Sequence, residues 1–199
     1  MSTNPVQIEI ASPRRFDRLQ LAIRIVLAIV LAWFGITFGA MAALAYLLLP
    51  ILAAIAITSV GGDTYVDRGP QLWRVLEWLL RCEAYMMLLV DRLPLGDDSD
   101  VSIHIEYSGH PTIRSAMWRL VTSLPLVVVT FVLVIPSGLF WLFAAVCLVL
   151  GLDMPRWILA FQLGVLRWQA QLLAYLASLV EPYPQWSFDT ATHTTAEAA

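Results

Sequence analysis

Between Val6 and Ile10 apolar and polar residues alternate, Val-Gln-Ile-Glu-Ile, which is the period of a half-buried β-strand. A basic stretch with Arg14, Arg15, Arg18 and Arg24 follows. From Ile25 to Gly62 the chain carries no charge for 38 residues, and glycines interrupt the run at 35 and 39. One membrane-spanning helix needs about 20 residues. The run therefore divides into two helices, about 19 to 38 and 40 to 60, joined by a tight turn. The next segment, Pro70 to Val90, mixes Trp73, Leu76, Leu79, Leu80 and Met87 with Arg74, Glu77 and Arg81 at i, i+3 and i+7. That spacing predicts an amphipathic helix lying at an interface. The polar loop from Gly96 to Asp100 ends this half.

The order then replays. Val101, Ile103 and Ile105 alternate with Ser102, His104 and Glu106, a second strand. Arg114 and Arg119 precede a second charge-free run of 33 residues, Leu120 to Leu152, which Pro136-Ser137-Gly138 interrupts. Pro155 to Val180 is the counterpart of the first amphipathic helix. Ile103 and Arg119 lie 95 residues after Ile8 and Arg24, and Trp168, Tyr175, Glu181 and Pro184 lie 90 after Trp78, Tyr85, Asp91 and Pro94. The predicted units are residues 1–97, residues 98–188, and a Thr- and Ala-rich tail, 189–199, that lacks the apolar pattern of a packed segment.

Every arginine lies outside the two apolar runs. By the positive-inside rule the strands, the Trp-rich helices and both termini are then cytoplasmic. The predicted fold is mainly α and integral to the membrane. It has two parallel repeats, each with a short cytoplasmic strand, a transmembrane helical hairpin and an amphipathic interfacial helix. The implied two-fold axis predicts antiparallel pairing of residues 6–10 with 101–107. A two-stranded ribbon is marginal by itself, so it must rest on the amphipathic helices or be extended by a second copy. The second run is short for two spans and holds Pro125 and Pro136, which leaves a re-entrant or strongly kinked pair as the alternative there.

Composition sharpens this in two ways. Charged residues make up 14% of the chain, against about 25% for a soluble domain. The 12 basic residues are all arginine and the net charge is -3, with no basic cluster of the kind nucleic-acid binding needs. The first apolar run is too long for a signal peptide.

One resemblance carries over much of the chain. Gly151-Leu152-Asp153-Met154-Pro155-Arg156-Trp157, Gly164-Val165-Leu166-Arg167-Trp168, Ala174-Tyr175 and Glu181-Pro182-Tyr183-Pro184-Gln185-Trp186 together resemble the uncharacterised bacterial membrane domain of unknown function 4389. The likeness covers residues 101–188 well and residues 5–95 more loosely, through Arg81, Ala84-Tyr85 and Asp91-Arg92-Leu93-Pro94. It departs at Glu181-Pro182, where the family has Asp-Arg, and at Leu93, where it has Tyr. The resemblance implies a bacterial inner-membrane protein with this fold and carries no established activity.

Candidate sites are few. Trp78, Arg81 and Tyr85 on one helix, and Arg156, Arg167, Trp168 and Tyr175 on the other, could hold a lipid headgroup, with arginine on phosphate and aromatics at glycerol depth. The plainer reading, which outweighs it, is a belt that anchors the helices. Asp91, Arg92 and Glu181 at the helix exits are candidates for ion pairs between the two repeats. Asp97, Asp98 and Asp100 lack the spacing of a Ca²⁺ loop. His104, His110 and His193 have no carboxylate at ligand spacing. Cys82 and Cys147 fit no redox or metal motif and read as buried thiols. No cofactor and no nucleophile motif is expected. The function these features favour is a non-enzymatic inner-membrane accessory or scaffold protein that binds a protein partner, or a second copy of itself, through its cytoplasmic face. A lipid-handling protein is the alternative.

Overall fold

The computed structural model describes residues 6–10, 22–27, 38–91, 101–105 and 111–184, and the architecture below concerns those residues. The chain is mainly helical. Strand β1 (Val6–Ile10) leads to a helical stretch α1 (22–27), then α2 (Phe38–Val60), α3 (Gly62–Asp67) and α4 (Gly69–Met86). Strand β2 (Val101–Ile105), α5 (Ile113–Val149) and α6 (Arg156–Leu176) complete it. Arg92, the 96–100 loop, His110, His193 and the tail from 189 lie outside the described residues.

The strands pair antiparallel, as expected for residues 6–10 and 101–107, and Ile8 lies opposite Ile103. Each strand lies over a helix of the other half: β1 packs on α6 and β2 on α4. The indole N–H of Trp73 on α4 donates to the Ile103 carbonyl at 3.4 Å. The ribbon thus gains the support it needs from helices. The two halves share one core cluster, which includes Tyr46, Trp73, Leu80, Leu166 and Leu176.

α4 forms where the sequence places an amphipathic helix, with Pro70 in its first turn, where the missing N–H is harmless. Its buried stripe is Trp73, Leu76, Leu80 and Ala84, a helical repeat of one face. α6 is different. From Ile158 to Leu176 its residues are buried, apart from half-buried Leu159, Ala160, Phe161, Gly164 and Arg167, because α5, α4, α2 and β1 contact it. It is a core helix and not the interfacial helix predicted from its aromatic and arginine content.

The second apolar run corrects the predicted transmembrane hairpin. It is one helix, α5, continuous through Pro125 and Pro136. A capping box between Thr112 and Ser115 starts it, with Ser115 N–H to the Thr112 hydroxyl at 3.2 Å and Thr112 N–H to the Ser115 hydroxyl at 3.1 Å. The reversal falls later, at residues 150–155, where Gly151 takes a φ of +76°. α5 and α6 then run antiparallel: Thr122 meets Tyr175, Thr130 meets Trp168 and Ser137 meets Gln162. A proline inside a helix removes one hydrogen bond. A turn in apolar surroundings would leave several backbone groups unpaired, so the helix continues.

Three layers result. The ribbon touches α4 and α6, and α2 and α5 pack against each other and on α6 from the far side. α5 is the one helix among the described residues long and apolar enough to cross a membrane.

Candidate functional site

The arginines that open the two apolar segments, Arg24 and Arg119, end inside the protein. Arg119 Nη1 donates to the carbonyls of Tyr175 and Val180, both at 2.7 Å, and its guanidinium lies 4.7 Å from the centre of the Tyr175 ring. Arg24 Nη2 donates to the Val90 carbonyl at 2.6 Å and to Asp91 Oδ1 at 3.3 Å, with its guanidinium 4.0 Å from the Tyr85 ring centre. Tyr85 and Tyr175, and Val90 and Val180, are the pairs that the 90-residue spacing matches.

The helix exits that these arginines grip have one shape. After α4, Leu88 takes a φ of +63°, and after α6, Ser178 takes +56°. In each exit the next amide reaches back five residues, Leu89 to Ala84 O and Leu179 to Ala174 O, both at 3.0 Å. A left-handed residue closes the helix in this way, at about 1 kcal/mol when it is not glycine. The cation against the last carbonyls complements the helix dipole and offsets that strain.

The candidate residues separate accordingly. Tyr85, Trp168 and Tyr175 are buried. Trp168 donates to Thr130 Oγ1 at 3.0 Å, and Tyr175 shares a 3.0 Å hydrogen bond with Thr122. They belong to the core and do not reach a headgroup. Arg81 pairs with Glu77 at 2.6 Å on its own helix. Trp78 and Arg156 are exposed, and Arg167 is half-buried. Asp91 pairs with Arg24, a residue of its own half. Glu181 acts electrostatically on Arg119, again within its half. Each of these acids thus acts on the arginine of its own half, where the exit that carries it folds back.

A further polar group sits on the buried side of α4. Glu83 lies three residues beyond Leu80 and seven beyond Leu76, on the apolar stripe and off the line of Arg74, Glu77 and Arg81. That placement was legible in the spacing. As a residue Glu83 keeps some accessible surface. Desolvation of its carboxyl nevertheless pushes its pKa up to about 7, against a hydrogen bond from Gln169 that holds it down. Gln169 is buried and its Oε1 has no partner. Tyr46 of α2 is close enough to feel the Glu83 charge. Burial also pushes the Cys82 thiol up, which disfavours the reactive thiolate.

The chain matches no protein-family model, no curated protein and no solved structure.

Proposed function

We propose that this chain is a membrane accessory protein, a scaffold that presents its ribbon and the outer stripe of α4 to a protein partner or to a second copy. The observation that carries the reading is the disposition of polar groups. Arg24, Arg119, Trp168, Tyr65 and Gln162 all bond to the chain itself, which supports a role in holding shape over one in handling substrate. Exposed Arg74 and the half-buried Glu77–Arg81 pair lie on the helix that also bears β2. A two-stranded ribbon also offers edges to a further strand.

The matched arginine clamps and helix exits support a tandem repeat of a module like the domain of unknown function 4389, in a bacterial inner membrane, with both termini in the cytoplasm. The lipid-headgroup alternative keeps Trp78, Arg156 and Arg167 and loses the aromatics that α6 buries. Purification of the full chain in several mild detergents tests the proposal. A partner or homo-oligomer should co-purify in constant ratio. A lone monomer throughout would refute the scaffold role.

A further inference from the structure

We infer that the outer face of the α2–α5 layer is a docking surface for the acyl chains of a single bilayer leaflet, with α5 lying along the membrane and not upright through it. The inference rests on the membrane reading above and specifies how the protein meets the bilayer.

Three observations carry it. The first is length. α5 has 37 residues, so at about 1.5 Å per residue it is about 55 Å long, against a hydrocarbon core of about 30 Å. To fit upright it would need to tilt by well over the usual 40° or so.

The second is what stands beside it. Gly62, which opens α3, abuts the carbonyl of Pro111, just before α5. At the far end of α4 the Met86 carbonyl accepts the Trp141 indole N–H at 2.7 Å. The α3–α4 stretch therefore extends from the start of α5 to Trp141, and Arg74, Glu77 and Arg81 fall between those two points. The ribbon rests there too, through Trp73 and Ile103. An upright α5 would carry these charges and the open strand edges into hydrocarbon. Charges at the bilayer centre are costly, and open sheet edges do not occur there when lipid-exposed.

The third is the one-sided surface. Leu124, Val128, Ile135, Leu139 and Leu142 are each about 60% exposed or more, and from Leu120 to the end of α5 no residue is charged. The neighbouring α2 adds Leu52 and Ile55 to the exposed apolar surface. This layer is one helix thick, about 10 Å, and so fits within one leaflet. The charged α4 stripe and the ribbon then face water.

The test uses the full chain in phosphatidylcholine vesicles, with Cys82 and Cys147 replaced by alanine and one nitroxide placed in turn at Leu124→Cys, Ile135→Cys, Val146→Cys or Glu77→Cys. Relaxation by oxygen and by a water-soluble nickel chelate reads depth. The first three labels should report one common depth within the hydrocarbon, and the fourth should report water. A gradient, with 135 at the bilayer centre and 124 and 146 at opposite edges, would overturn the inference while leaving the accessory reading intact. Labels shielded from both relaxants in a dimeric protein would also overturn it, because a second copy would then cover the face. Failure to bind vesicles would overturn both readings. A lone monomer in the purification test removes only the scaffold role.

Discussion

Replacing Arg119 with methionine removes a cation that holds the end of α6 while leaving an apolar stem of similar reach. Arg119 is 7% exposed, so its two hydrogen bonds to Tyr175 O and Val180 O are little screened by water. Hydrogen bonds from a charged donor contribute about 1.5–3 kcal/mol each, and a guanidinium over an aromatic ring about 0.5–2 kcal/mol. Against this, the desolvation of the guanidinium is recovered when it is removed, which takes back several kcal/mol. The Val180 carbonyl left behind restores a penalty of about 1–3 kcal/mol, while the Tyr175 carbonyl keeps the Ser178 N–H at 3.0 Å. The balance is a loss of about 3 kcal/mol, in line with the 3–5 kcal/mol or so for breaking one side of a buried charged contact. Unfolding in mixed micelles by a graded denaturing detergent, followed by tryptophan emission, measures it. Arg119→Lys should lose about half as much, since the charge remains and the fork does not. Arg24→Met should lose at least as much as Arg119→Met, because it also leaves the Asp91 carboxylate without this cation. A loss below about 0.5 kcal/mol for Arg119→Met, the size of an ordinary surface substitution, would refute the clamp.

Gly62→Ala places a Cβ 2.6 Å from the Pro111 carbonyl oxygen, a backbone clash expected to cost about 1–3 kcal/mol and readable as a lower midpoint in the same unfolding assay. Glu83 gives the protein a pH dependence of definite sign. Its folded pKa of about 7 lies above the ordinary 4.5, so the stability it contributes is full below about pH 4.5 and is lost as pH rises through about 7. Discounted for residual solvent access, the loss is about 2 kcal/mol. It appears as the difference in unfolding midpoints between wild type and Glu83→Gln across that range, and a constant difference would refute it. Residues 1–97 and 98–199 expressed separately should each fail to give a protease-resistant unit and should recover one when co-expressed, because each half covers its strand with a helix of the other.

Much of the fold could be read in the chain because it depends on local periodicity. The strand alternation and the amphipathic stripe of α4 are properties of neighbouring residues. The absence of charge from Leu120 onward was likewise enough to mark α5, the one helix among the described residues long and apolar enough to cross a membrane. Three features were decided only in the folded chain. Pro136 reads as a break, yet the helix passes through it, because its surroundings make an interruption costlier than a missing hydrogen bond. Trp168 and Tyr175 read as an interfacial belt and are instead core, because burial of α6 depends on neighbours far away in sequence. That Asp91 and Glu181 act on the arginine of their own half follows from the left-handed residues at 88 and 178, which turn each exit back. The sequence by itself determined which segments avoid water and which strands pair. Only the tertiary structure decided how the helices are layered, and so which polar groups face inward, since that depends on contacts between residues with no fixed spacing along the chain.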